Sequence, residues 1–345
     1  MDHLTPSYRI LGCLALASVA TLAACSSSSS ATGGAGGDGT TGTSSSSSVA
    51  GGGTGGSGGS GGTTAASSGS SSDGGGSNCA PGAPFGGGET KVTGQQSVTA
   101  KIVDEKGAPI AAGQPVFICG IDLCSNPATT DATGSVTITT SLAMKKPAFK
   151  VGDALTYAEL AIPLSAATTD FTAGGTKVLS TAKLSGATGA AFKAGSTVSS
   201  GGVSLVLAAA TNVEVNQLIY DTDDKQLFRA VSIPLDNDGP WLASSGHTDF
   251  SLLYGVSPAG TTFCPAATAT VALPHATSTP NDFGWAAGTA VEIWVMTTDV
   301  GQTYAPYAGW AKASDATVDA DGTSVTTVAG QGLTYLDNFA IRKKQ

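Results

Sequence analysis

Carboxylates are the residues of this chain whose spacing best suits chemistry. They group as Asp221, Asp223 and Asp224, then Asp236 and Asp238 ahead of Gly239, then Asp315, Asp319 and Asp321 ahead of Gly322. Calcium takes several hard oxygen ligands, so Asp236, Asp238, Asp319 and Asp321 are candidate metal ligands, with calcium the one cofactor to consider. Neither D-x-D-G run completes a D-x-D-x-D-G-x5-E loop, and both equally suit a tight hairpin turn. Two acids facing each other across a cleft would suit hydrolysis of a glycan or peptide. Histidine offers little. His247 and Asp249 stand two apart, which puts them on one face of a strand but not in triad geometry, and His275 has no acid or nucleophile beside it. Aromatic rings can stack on sugars, and Trp241, Trp285 and Trp294 add to the run Tyr304-Ala305-Pro306-Tyr307-Ala308-Gly309-Trp310. That run reads as a loop. It makes Tyr304, Tyr307 and Trp310 the candidate ligand-binding residues, for an extracellular glycan or protein. Trp294 alternates with Ile293 and Val295 in a strand, so either it or its neighbours face the core. No catalytic residue is assigned, and the expected protein is not an enzyme.

Composition narrows the partners. Twenty-five acids against 16 Lys and Arg give a net charge of -9, which argues against nucleic acid and against charge-driven adsorption to anionic lipid. Hydrophobic residues make up 41%, ample for a core, while charged residues make up only 12%. The 345 residues allow one or two domains once non-globular parts are set aside.

The first 24 residues read as an export signal. Arg9 precedes an apolar run from Ile10 that is short for a bilayer span. The run ends in Leu22-Ala23-Ala24-Cys25, which resembles the lipobox of bacterial lipoproteins. The resemblance implies a diacylated Cys25, anchoring by lipid rather than by a span, and, with Ser26 next, transfer to the outer membrane. Each buried CH2 of such a chain adds about 0.8 kcal/mol of membrane affinity. Residues 25–78 form the tether. Its 52 residues from 26 to 77 include 19 Gly, 18 Ser and 7 Thr, a composition expected to stay disordered with a reach of roughly 40 Å. Gly55-Gly56-Ser57-Gly58-Gly59 matches G-x-S-x-G there only through composition.

Four cysteines remain after Cys13 and Cys25: Cys79, Cys119, Cys124 and Cys264. An even count in an exported chain suggests two disulfides, among three pairings. Cys119–Cys124 is favoured because Phe117-Ile118-Cys119 reads as a strand end with a short loop after it. Cys79 would then bridge to Cys264 in a distant loop. Zinc would need more ligands than Cys-x4-Cys supplies.

The elements that must position these groups are strands. Residues 88–345 carry short β-branched and aromatic runs broken by Gly, Pro, Asn and Asp, without sustained helical periodicity. The expected fold is all-β, two tandem antiparallel Ig-like β-sandwich units at 79–165 and 176–345. Predicted strands include Ser97–Val103, Pro115–Ile118, Ser135–Thr139, Val203–Leu207, Leu227–Pro234, Phe250–Tyr254, Thr268–Leu273, Val291–Met296 and Asn338–Arg342. The pattern of a strand, an Asp104-x-x-Gly107 turn, Ala-Pro-Ile, a strand with Val116 and Ile118, and Thr130-Asp131-x-x-Gly134 resembles carboxypeptidase-regulatory-like, transthyretin-like sandwiches over residues 94–165. That resemblance implies an accessory domain without catalysis of its own. The segments FRAVSIP, FCPA, AGTAVEIW and APYAGWAK look like the C-terminal part of surface lipoproteins from myxobacteria-like organisms, and bring no activity with them. Together these readings place the chain, as an expectation, at the bacterial outer membrane on its periplasmic or cell-surface face.

Overall fold

Turn chemistry starts the fold. In the computed structural model, Asp104 Oδ1 accepts the amides of Lys106 and Ala108, and Asp131 Oδ1 those of Thr133 and Ser135. Each D-x-x-G run therefore closes its own turn, with Gly107 and Gly134 at positive φ. The described residues are 89–164, 177–236, 242, 246–275, 281–300 and 302–345. They lie within the compact unit Gly69–Gln345. The tether, the export signal and Cys79 lie outside the described residues.

The architecture is all-β. The first block contains β1 (Lys91–Val92), β2 (Gln96–Val103), β3 (Pro115–Cys119), β4 (Ala128–Thr129), β5 (Ser135–Thr140), β6 (Met144–Lys145), β7 (Ala148–Val151), β8 (Leu160–Pro163) and β9 (Lys177–Ser180). A three-stranded sheet ordered β5-β2-β9 faces a four-stranded sheet ordered β4-β3-β7-β8. Period-two alternation sets which side chains point inward. Val98, Ala100 and Ile102 of β2 and Val136 and Ile138 of β5 meet Val116, Ile118, Phe149 and Val151 in one buried cluster. On the outer face Ser97 pairs with Thr139 and Thr99 with Thr137, hydroxyl to hydroxyl at 2.9 and 3.1 Å. Strand β9 comes from beyond the boundary expected at 166–175, and it pairs in parallel with β2.

The second block is one large curled sheet. Its strands are β10 (Thr197–Ser200), β11 (Val203–Val206), β12 (Asn212–Glu214), β13 (Arg229–Ser232), β14 (Phe250–Ser257), β15 (Thr261–Ala272), β16 (Ala290–Met296), β17 (Trp310–Val318), β18 (Ser324–Thr327), β19 (Leu333–Leu336) and β20 (Phe339–Lys343). They run in the order β10-β11-β15-β18-β17-β16-β20-β14-β13, with β12 and β19 also on β15. The two ends of this order nearly meet. Ser200 Oγ accepts the Ala230 amide at 3.1 Å and donates to the Thr188 carbonyl at 2.8 Å. Ala190 and Phe228 exchange backbone bonds beside it. A side chain at Gly201 would sit 1.9 Å from the Ala230 carbonyl oxygen, so glycine is required where the edges close. Inside the curl Phe263, Val271, Val291, Ile293, Val295, Phe339 and Ile341 form the second buried cluster.

Strand β14 is buried on both faces, which explains its nearly continuous apolar sequence. Leu252, Tyr254 and Val256 face the interior of the curl, while Leu253 joins the cluster of the first block. Ile233, Met296, Trp310 and Ala340 cross the same seam into that cluster. Closest approach falls at Gly255, where a Cβ would lie 2.4 Å from Ala158 Cβ and 2.7 Å from Ala182 Cβ. Gly255→Val therefore forces the two blocks apart. The expected cost is about 1–3 kcal/mol, read as a lower Tm by calorimetry.

Candidate functional site

The seam that Gly255 closes also collects the chain's buried charges. Phe149 and Val151 commit one face of β7 to the core, so Lys150 between them points out of the sandwich. Its Nζ donates to Asp299 Oδ1 at 3.1 Å and is ion-paired with Glu159 Oε1. The Lys150 and Glu159 side chains are 13% and 14% exposed, and Asp299 is 40% exposed. Asp299 belongs to the connection at 297–309 between β16 and β17. That connection is held at three more points: Tyr307 donates to the Cys119 carbonyl at 3.2 Å, Tyr304 donates to Asp337 Oδ2 at 2.6 Å, and Gln302 Nε2 reaches the same oxygen at 3.4 Å.

Asp337 and Asn338, between β19 and β20, are fully buried. The Asn338 amide nitrogen of the backbone donates to Asp337 Oδ1 at 2.7 Å. The Asn338 side chain accepts the Val256 amide at 3.0 Å and donates to the Glu159 carbonyl of the first block. Tyr304 stacks on Tyr335 with ring centroids 4.3 Å apart. Lys150 thus pairs with the buried Glu159 and the partly exposed Asp299, and both of those acids act electrostatically on the buried Asp337.

Burial decides how the acids titrate. It pushes Glu159 up to about 7, with Lys150 pulling the other way and Asp299 adding to the rise. Asp337 is pushed up to about 8 by burial, although Tyr304 and the Asn338 amide favour its ionised form. Burial alone would lower Lys150, but the Glu159 and Asp299 carboxylates outweigh it and hold the ammonium charged. Burial also lifts Tyr307 to about 12 and Tyr304 well above its ordinary range, so both hydroxyls stay protonated. Chemically, Glu159 and Asp337 are carboxyl groups able to give or take a proton near neutrality.

The residues singled out by sequence fall elsewhere or do other work. Trp310 is not in a loop: it opens β17, is 6% exposed, and packs edge-on to His247 and against Phe250. Tyr304 and Tyr307 are part-buried and bonded within the seam rather than displayed. His247 stacks on Phe250 at 4.8 Å and lies beside Trp294, and its imidazole is lowered by burial and then by Arg342, against Asp249. Asp249 is bonded by Arg342 at 3.0 Å, and Arg342 also bonds Glu292 and lies 4.3 Å over the Trp294 ring. Asp319 Oδ2 accepts the hydroxyls of Ser324 and Thr326, and Asp321 Oδ1 accepts the Thr323 amide, as a β17–β18 hairpin turn requires. Among the described residues no group of three or more His, Cys, Asp or Glu side chains is placed to hold a metal. Asp236 is described, while Asp238 and Trp241 lie outside the described residues.

Cys119 and Cys124 form a disulfide. Cys264 is also disulfide-bonded, and it sits not in a loop but inside the 12-residue strand β15. There the register shifts between Thr262 and Ala267, where Pro265 has no amide to give to the ladder. Cys79, its expected partner, and Cys25 lie outside the described residues. Among the described residues no helix is long and apolar enough to cross a membrane.

Sequence reasoning missed Lys150, Glu159, Asp299 and Asp337. The available signal was a lone charge inside an apolar run, in Ala-Phe-Lys150-Val, Ala-Glu159-Leu and Leu-Asp337-Asn338-Phe. Comparison with protein families, curated proteins and solved structures finds nothing that matches this chain.

Two measurements follow from this geometry. The unfolded chain gives up these protons near the ordinary values of 4.5 and 3.8, whereas the folded chain keeps them to about 7 and about 8. Between those limits the folded state binds more protons, so this part of its stability is full in acid and is lost as pH rises. Tm should therefore fall by several degrees between about pH 5 and about pH 8.5, and Asp337→Asn should flatten that fall. Chelation is the second: with the Asp319 and Asp321 oxygens taken by their own turn, EDTA should leave Tm unchanged, measured by calorimetry.

Proposed function

We propose that this chain is a lipid-anchored envelope or cell-surface protein without catalytic activity, serving a structural, adhesive or ligand-binding role. In this reading Cys25 carries the lipid, the Gly/Ser tether holds the β head clear of the head groups, and the outer membrane is the site of attachment. The first block is an accessory sandwich of the carboxypeptidase-regulatory-like kind. The observation that supports it most is how the head uses its chemistry-bearing side chains. Asp249, Asp319, Tyr304, Tyr307 and Trp310 are all engaged in internal contacts that fasten strands or close the seam.

One specific observation favours a second reading, an envelope hydrolase acting on glycan or peptide. Glu159 and Asp337 both titrate near neutrality, as an acid and base working together would need to. The two readings part on simple experiments. Cells fed a labelled palmitate should label the protein, and Cys25→Ser should lose the label and shift the protein to the soluble fraction. Label kept by Cys25→Ser would overturn the anchor. Purified full chain should release nothing from envelope glycan or peptide, and a release that Glu159→Gln abolishes would replace the first reading with the second.

A further inference from the structure

The β7–β8 hairpin holds a lysine against a carboxyl group and leaves little freedom to either. Lys150 lies opposite Ala161 in the register, so Glu159, two residues earlier, shares its face on the diagonal. Three devices fix Glu159 there. Asp153 Oδ1 accepts the amides of Leu155, Thr156 and Tyr157, so the connection is folded by its own carboxylate. Gly152, at φ 92°, brings the end of β7 so close that a Cβ would lie 2.3 Å from the Ala158 carbonyl oxygen. Asn338 then bonds the Glu159 carbonyl from the second block. Lys150 Nζ meets Glu159 Oε1 on one side and Asp299 Oδ1, at 3.1 Å, on the other.

We propose that Lys150 and Glu159 are the precursors of an intramolecular amide, a covalent cross-link that the folded chain makes for itself. Lys150 Nζ bonds to Glu159 Cδ as one Cδ–O bond breaks. The ammonium gives up two protons and the departing carboxylate oxygen carries both away as water, so atoms and charge balance without a co-reactant. Asp299 Oδ1, in bonding reach of Nζ, takes the proton that frees the lone pair and returns it to the departing oxygen. That duty matters because the two carboxylates hold Lys150 as an ammonium. Exposure separates their parts. Asp299, 40% exposed, keeps its hydration and trades protons, while Glu159, at 14%, is dry enough to lose an oxygen. Burial also pushes Glu159 up to about 7, so its neutral, electrophilic form is populated near neutrality.

Two effects favour a condensation that free amines and carboxylates do not undergo in water. Groups held in reacting geometry behave as though at effective molarities of about 10⁵–10⁸ M. Condensation also replaces a buried ion pair, whose charges have given up their water, with a neutral amide. The other ion pairs do not share this setting. Lys312 and Lys344 meet Asp315 with lysine side chains 36% and 45% exposed, and Arg342 between Asp249 and Glu292 is a permanently charged guanidinium and no nucleophile. Strand β8 is the edge of its sheet and bonds there to β7 alone, so the amide would pin a free edge. It would also remove Glu159 from titration, leave Asp337 to carry the pH response, and deny Glu159 to any hydrolysis.

Peptide mass spectrometry of the purified full chain tests the bond. Trypsin should fail to cut after Lys150 and should give one peptide from Lys146 to Lys177, lighter by one water than its sequence. Fragment ions should join Lys150 to Glu159. Lys150→Arg keeps the positive charge without the nucleophile, so cleavage at position 150 and the missing water should both return. Asp299→Ala should slow the appearance of the bond in freshly folded chain roughly 100-fold. Ordinary cleavage after Lys150 with full-mass peptides from the wild-type chain would overturn the proposal. So would a water loss that persists in Lys150→Arg, or fragment ions that join Lys150 to Asp299. An unchanged rate in Asp299→Ala would overturn the proton transfer assigned to Asp299. The wild-type digest decides the bond even where a variant fails to fold.

Discussion

Gly255 sets the distance at which the two blocks meet, and the polar seam depends on that distance. Only a residue without a Cβ lets β14 lie against Ala158 and Ala182. At that separation one side chain, Asn338, can accept from Val256 in the second block and donate to the Glu159 carbonyl in the first. A hydrogen bond loses its worth within a few tenths of an ångström, so this double bond works as a gauge of the seam. Lys150 reaches Asp299 for the same reason. Had β14 carried an ordinary side chain at this point, Asn338 and Lys150 would each have lost a partner while remaining buried, which is costlier than never having been polar.

A buried ion cluster is a poor way to gain stability, because removing charges from water takes back most of what their attraction gives. Its presence between two apolar clusters calls for another account. Apolar contacts are tolerant of sliding, whereas charges and paired hydrogen bonds accept few arrangements. Lys150, Asn338 and Tyr307 tie β7, the approach to β8 and the end of β3 to partners 149, 179 and 188 residues apart in sequence. They select one docking of the blocks out of the many that Ile233, Leu253, Met296 and Trp310 would allow. Selectivity of this kind carries a cost in pH range, since burial raises Glu159 and Asp337 and opposes their ionisation in the arrangement they specify.

The strands were legible because their signals are local. Ser97–Val103 is found as Gln96–Val103, Val291–Met296 as Ala290–Met296 and Asn338–Arg342 as Phe339–Lys343. The D-x-x-G turns and the Cys119–Cys124 disulfide were equally local. Strand β17 hid because Trp-Ala-Lys-Ala-Ser-Asp-Ala-Thr-Val is rich in small residues, and its Trp310 looked like part of a displayed loop. The seam cluster was illegible for a different reason. Lys150 and Asp299 stand 149 positions apart, and only the folded chain brings them within a hydrogen bond. Sequence spacing finds groups that share a turn or a strand face. It cannot find groups that share a seam.

The low charge content gains a structural meaning in this light. Outer sheet faces are made wet by hydroxyls paired across strands, as in Ser97 with Thr139, Ser199 with Ser204 and Thr270 with Thr326, each pair contributing about 0.2–1 kcal/mol. Hydroxyls do not titrate in the physiological range, and salt does not screen them. The exposed carboxylates that the chain does keep, such as Asp131 and Asp321, are held below their usual range by turn amides and hydroxyls, so they stay ionised from mild acid upward. Surface chemistry of this sort leaves the head indifferent to pH over most of its area. Sensitivity near neutrality is then concentrated where burial has raised Glu159 and Asp337, at the contact between the blocks. A chain with a quarter of its residues charged would spread that response over many weak pairs. Here it rests on a few buried groups in one place.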